Sequence, residues 1–179
     1  MTETAKMYGG SLYDLAAAEG LEDALLADVE AAAGIFAENP DYLHLLSLPN
    51  LPKKERCGLI DEAFGGQAHP YTVNFLKILC ENGTLRELRG CAQEYRRRYN
   101  EAHGIVEAQA VAAVAIPDEA RTRLEQKLCA MTGKTVHLTT KVDPAVLGGI
   151  RLDMEGTRLD GTVQARLDAL RRDIAAATL

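Results

Sequence analysis

The sequence predicts an α+β chain, with a bundle of about six helices over residues 1–104 and a small α/β domain over residues 105–179. Three observations carry that prediction. From Thr4 to Gly104 apolar residues recur three and four positions apart, the spacing of a helix with one covered face. Beyond Gly104 the period falls toward two, first in Ile105–Ile116 and again in Thr135–Val142 and Ile150–Met154, as in strands covered on one side. Between the first two of those runs lies a segment of helical period that begins at Pro117 and ends at Gly133.

The helices follow in order. Tyr8, Leu12 and Leu15 make the first stripe, which stops at Gly20. Leu21, Leu25, Val29, Ala32 and Phe36 make the second, closed by Asn39-Pro40. A short segment, Asp41–Leu48, precedes Pro49, and Pro52 suits the first turn of the helix carrying Cys57, Ile60 and Phe64. Pro70 begins the fifth helix, PYTVNFLKILCENG. Leu85, Leu88, Cys91, Tyr95 and Tyr99 define a long sixth one that Gly104 closes. The fifth helix is apolar on two sides, Val73, Leu76 and Cys80 on one and Phe75, Ile78 and Leu79 on the other. Either it is surrounded on all sides, or one stripe faces a groove that receives a partner's amphipathic helix.

In the second domain Val106, Ala108, Ala110, Ala112 and Val114 share one side of the first strand. On the following helix Ala120, Leu124, Leu128 and Met131 are expected to face inward. Val136, Leu138 and Thr140 alternate with Thr135, His137 and Thr139 on the next strand. The turn from Pro144 to Gly149, with its paired Gly148 and Gly149, then leads into Ile150, Leu152 and Met154, whose return through Thr157–Asp160 would form a hairpin. Asp160 stands where an N-cap belongs, ahead of Val163, Leu167, Leu170 and Ile174 at helical spacing.

Composition narrows the function. Apolar residues make up 47% and charged ones 26%, with a net charge of −6 and no Trp. A nucleic-acid binder carries a basic footprint and stacking aromatics, so that class is excluded. Cys57, Cys80, Cys91 and Cys129 show no C-x-x-C spacing, and three of them fall on predicted helices among apolar neighbours, which reads as buried thiols and not a zinc site. The first twenty residues lack an apolar secretory core, and Ala110–Ile116 is too short to span a bilayer. A cytoplasmic chain without direct membrane insertion is expected.

Catalytic motifs fail one by one. Gly133-Lys134-Thr135 ends like a phosphate-binding loop, but Leu128 stands where its first glycine belongs, and a helix precedes it instead of a strand. Gly156 and Gly161 have the spacing but lack the lysine. His44, His69, His103 and His137 are scattered. Arg96-Arg97-Arg98 reads as a solvated helix face. No active site, cofactor or metal is expected, and what remains is a set of binding surfaces.

Three segments resemble one family. VDPAVLGGIRLDMEGTRLDGTVQARLDAL is similar to the signature of the delta subunits of rotary F-type ATP synthases, the family of the mitochondrial oligomycin-sensitivity-conferring protein. AKMYGGSLYDLA resembles the family's A-x-x-Y-A-x-A-L-F-x-L-A, with Gly9 and Ser11 where alanines are usual. NFLKILCENGTL resembles N-F-L-x-L-L-x-E-N-x-R-L, with Gly83 and Thr84 replacing the usual basic pair.

The resemblance implies a non-catalytic stator subunit at the cytoplasmic face of the cell membrane, peripheral to it through the complex. It implies that a groove between the first and fifth helices takes an N-terminal helix of the alpha subunit, with Tyr8, Ser11, Leu12, Leu15, Phe75, Ile78 and Leu79 as contacts. It implies that the C-terminal domain takes the end of the peripheral-stalk b subunit. Asp143, Pro144, Gly148, Gly149, Asp160 and Gly161 would then be structural. An adaptor module of another complex is the alternative.

Overall fold

Thr2 starts the first helix, α1 (Glu3–Glu19), by accepting the Ala5 N–H at 3.2 Å, one of the amides that a helix start leaves unpaired. In this computed structural model, which describes residues 1–47, 51–146, 148–154 and 157–161, five more helices follow. They are α2 (Glu22–Glu38), α3 (Pro40–Leu46), α4 (Lys53–Phe64), α5 (Pro70–Glu81) and α6 (Leu88–His103), with a 3-10 turn at Leu85–Glu87 before the last. Pro40 and Pro70 occupy the first positions of α3 and α5, where the missing N–H would have had no partner anyway. Asp28 of α2 fixes the start of α5. Its carboxylate accepts from the His69 N–H at 2.6 Å and from the Thr72 hydroxyl at 3.3 Å.

One continuous apolar core runs through these helices, including Leu12, Leu25, Val29, Phe36, Leu76 and Tyr95. Tyr95 is wholly enclosed, edge-on to Tyr13 with ring centroids 5.4 Å apart, and its hydroxyl donates to the Glu22 carbonyl at 3.0 Å. Helices α1 and α6 approach closely because α1 carries Gly9 and Gly10. A Cβ on Gly9 would overlap the Cys91 carbonyl oxygen, and one on Gly10 would lie 2.6–2.7 Å from the Arg98 guanidinium. Among the cysteines, Cys80 and Cys91 are buried, whereas Cys57 and Cys129 are half-buried, and all four are free. Burial pushes the Cys91 thiol up to about 11.

The rest of the described chain forms a four-stranded sheet with one helix. The elements are β1 (Ile105–Ala112), α7 (Asp118–Thr132), β2 (Thr135–Val142), β3 (Ile150–Met154) and β4 (Thr157–Asp160), in sheet order β2-β1-β3-β4. The crossover through α7 makes β1 and β2 parallel, while β3 pairs antiparallel with both β1 and β4. Val106, Ala108 and Ala110 of β1 meet Val136, Leu138 and Leu128 in a second, smaller core. Contacts divide the chain into two compact units, Met1–Tyr99 and Asn100–Leu179.

Three expectations for this half need correction. The predicted strand Ile105–Ile116 stops at Ala112, so Val114 lies beyond the sheet and is exposed. Thr140 is exposed as well, past the last buried residue of β2. On α7 only Leu128 is buried and Leu124 packs partly, while Ala120 and Met131 face water. A stripe drawn at four-residue steps drifts by about 40° per step on a helix of 3.6 residues per turn, so its ends leave the line of contact. The helix expected after Asp160 lies outside the described residues.

Candidate partner-binding groove

Helix α1 has two apolar faces, and only one of them is spent on the core. Ala5, Gly9, Leu12 and Ala16 point inward, while Met7 and Leu15 stay exposed on the neighbouring face. Helix α5 repeats the pattern. Val73, Leu76 and Leu79 are buried, and Ile78 is 47% exposed. Where these two outer faces adjoin, a groove of about 360 Å³ opens. Its α1 wall is Met7, Tyr8, Ser11, Leu12 and Leu15, and its α5 wall is Tyr71, Asn74, Phe75 and Ile78. The fifth helix is therefore not surrounded on all sides.

The polar side chains of the α1 wall are turned to internal partners. Ser11 donates its hydroxyl to the Met7 carbonyl of its own helix at 2.8 Å. The Tyr8 hydroxyl accepts from the Asn82 carboxamide at 3.0 Å. The result is an apolar trough between two helices, the shape and chemistry that take the apolar stripe of a third helix.

Behind α1 a charge cluster built around one buried carboxylate ties α1 to α6. Glu94 of α6 is 3% exposed and accepts from Arg97 at 2.7 and 2.9 Å and from Arg98 at 3.2 Å. Arg98 in turn donates to Asp14 of α1 at 2.9 Å, with its guanidinium lying beneath Gly10. The Arg97 hydrogen bonds first, and those of Arg98 next, hold the Glu94 carboxyl below its usual 4.5 against the opposing effect of burial. Arg96 pairs with Glu30 of α2. Arg96 and Arg97 are exposed, as the sequence suggested, and only Arg98 is half-buried, but each guanidinium is also tied to a carboxylate.

The second unit has a larger concavity, about 660 Å³, between α7 and the start of β3. Its apolar floor, Leu124 and Ile150, is ringed by the long polar side chains of Glu119, Arg123, Gln126 and Lys127. By chemistry, then, the smaller groove is the better helix receptor.

Six of the seven expected contact residues line the α1–α5 groove, and Leu79 does not. Leu79 is fully buried in the bundle core, one position past Ile78 and so about 100° around the helix from it. Met7, Tyr71 and Asn74 line the groove and were missed. The signal for Tyr71 and Asn74 was present, since 71, 74, 75 and 78 form an i, i+3, i+4, i+7 stripe. Met7 was masked by the polar Ser11 that follows it on the same face. Of the residues expected to be structural, Asp143 accepts the Ala145 N–H at 3.0 Å, Pro144 is exposed in the turn, and Gly148 and Gly149 take φ of 69° and 85°. Asp160 ends β4 opposite Arg151, and the Gly161 N–H donates to the Ile150 carbonyl at 3.1 Å.

Against known proteins, residues 4–174 match the family model described as the ATP synthase delta (OSCP) subunit. The chain belongs to that family. It is 32% identical over 178 residues to the ATP synthase subunit delta of Syntrophomonas wolfei, covering 98% of this chain and 96% of the relative. Against the subunit delta of Desulfitobacterium hafniense the identity is 30% over 171 residues, covering 96% of each. A chain of the Toxoplasma gondii mitochondrial ATP synthase hexamer shares the fold, with a TM-score of 0.77 at 16% identity over 98% of each chain. Members of the family are stator subunits of the F-type ATP synthase, and this chain is one of them, a structural subunit that serves ATP synthesis and ion transport through the complex. No helix among the described residues is long and apolar enough to cross a membrane.

Proposed function

We propose that the α1–α5 groove binds the N-terminal amphipathic helix of an ATP synthase alpha subunit, and that the unit after Gly104 binds the end of the membrane-anchored b stalk. The chain then joins the catalytic head to the stalk on the cytoplasmic face of the cell membrane. It has no active site of its own. Its task is mechanical: the rotor drags on the head, and this joint keeps the head from turning, so that proton flow stays coupled to ATP synthesis. Asp143, Pro144, Gly148, Gly149, Asp160 and Gly161 shape the turns that hold the second unit's strands in register.

The observation that carries the reading is the pair of unpartnered apolar edges, Met7 and Leu15 on α1 and Ile78 on α5, gathered on one groove. Single exposed apolar side chains are ordinary on a protein surface, whereas a contiguous apolar trough calls for a ligand. The test is calorimetric titration of the alpha subunit's N-terminal peptide into the native chain and into Ser11→Asp. The added carboxylate faces the apolar side of the incoming helix and resists desolvation, so affinity should fall at least tenfold, about 1.4 kcal/mol or more. A folded Ser11→Asp chain that binds the peptide as tightly as the native one places the site elsewhere.

A further inference from the structure

We infer that Asn74 sets the specificity of the groove, by requiring a hydrogen-bonding side chain at one height on the apolar face of the helix that docks there. The inference rests on the groove being a helix receptor and adds which helices it accepts.

The polar side chains of the α1 wall are already committed, Ser11 to the Met7 carbonyl and Tyr8 to Asn82. On the α5 wall the Tyr71 hydroxyl, at one end of the stripe, has no hydrogen bond among the described residues, and next along the stripe stands Asn74. Its carboxamide has no partner among the described residues, and it projects from the same α5 stripe as Tyr71, Phe75 and Ile78. Water satisfies it while the groove is open. A docked helix removes that water, and the carboxamide then has two donors and an acceptor with no partner unless the ligand supplies one. Leaving buried polar groups unpaired costs more than the bond itself is worth, so a purely apolar stripe is disfavoured there. The ligand that fits is an amphipathic helix whose groove-facing stripe of large apolar residues is interrupted once, opposite Asn74, by a polar side chain such as Ser, Thr, Asn or Gln. Because a carboxamide both donates and accepts, either sense of hydrogen bond satisfies it.

Asn74 is exposed on a helix surface, so replacing it should leave the fold intact, which circular dichroism checks. The experiment titrates the alpha subunit's N-terminal peptide, and a series of its single-alanine variants, into the native full chain, Asn74→Ala and Asn74→Leu. Asn74→Ala should weaken the native peptide roughly fivefold. The loss should disappear for the one peptide variant that has lost its polar partner residue, and Asn74→Leu should bind that variant more tightly than the native chain does. Losses of equal size for every peptide, or an affinity of Asn74→Ala for the native peptide within about twofold of the native chain's, overturn the inference and leave the groove standing. Absence of binding to the native chain overturns both.

Discussion

The two units expose apolar side chains in different ways. In the helical unit Met7, Leu15 and Ile78 come from two helices and converge on one trough. In the sheet unit Val114 at 73% and Met131 at 77% are more exposed than any of the three, yet neither lines the concavity there. Degree of exposure is therefore a poor guide to a docking surface. What matters is whether apolar atoms from separate elements are brought together in one trough, and that holds for the groove.

That contrast depends on α1 being pressed onto α6 by its inner face, so that its outer face is left to form a wall. Gly9→Ala tests this most severely. An added methyl would collide with the Cys91 carbonyl, and backbone must shift to admit it, so the variant should lose roughly 1–3 kcal/mol in denaturant unfolding despite alanine's better helix propensity. Gly34 of α2 has open space around it, and Gly34→Ala should stabilise by about 0.5–1 kcal/mol. Equal signs for the two would mean that α1 and α6 are not held at backbone contact.

Gly149→Asp probes the other unit by itself. At φ 85° any residue with a Cβ is strained, by roughly 1–3 kcal/mol, and the turn leads directly into β3. Binding of the alpha peptide should be unchanged and binding of the stalk should fail. Loss of the peptide with retention of the stalk would reverse the assignment of partners to units.

A smaller effect comes from the charge cluster. The folded-state pKa of Glu94 is depressed, so its contribution is complete above the ordinary value of 4.5 and is lost as pH falls through the lower, native one. Glu94→Gln should therefore be less stable than the native chain at neutral pH and should show a shallower loss of stability below about pH 4.5. Parallel stability curves for the two chains would remove Glu94 from the forces that hold α1.

Much of this was legible in the sequence, for identifiable reasons. Helices α1 to α6 were marked by caps and by proline and glycine at their ends, which act locally, so Gly20, Pro40 and Pro70 fall where expected. The strand-helix-strand unit and the β3–β4 hairpin followed from alternation and turn residues. Less legible was anything set by contact between distant segments. Periodicity places Leu79 on an apolar stripe without telling whether that stripe meets core or solvent, and it cannot foresee that Arg96, Arg97 and Arg98 find carboxylates on α1, α2 and their own helix. Asn74 was passed over because a polar residue inside an apolar pattern looks like an interruption, until the structure places it in the groove wall.

The most direct test of the groove is amide chemical-shift mapping of the full chain titrated with the alpha subunit's N-terminal peptide. The account predicts shifts concentrated at Met7, Ser11, Leu15, Asn74, Phe75 and Ile78, with α7 unmoved. Shifts centred on Leu124, Lys127 and Ile150, with α1 and α5 silent, would contradict it.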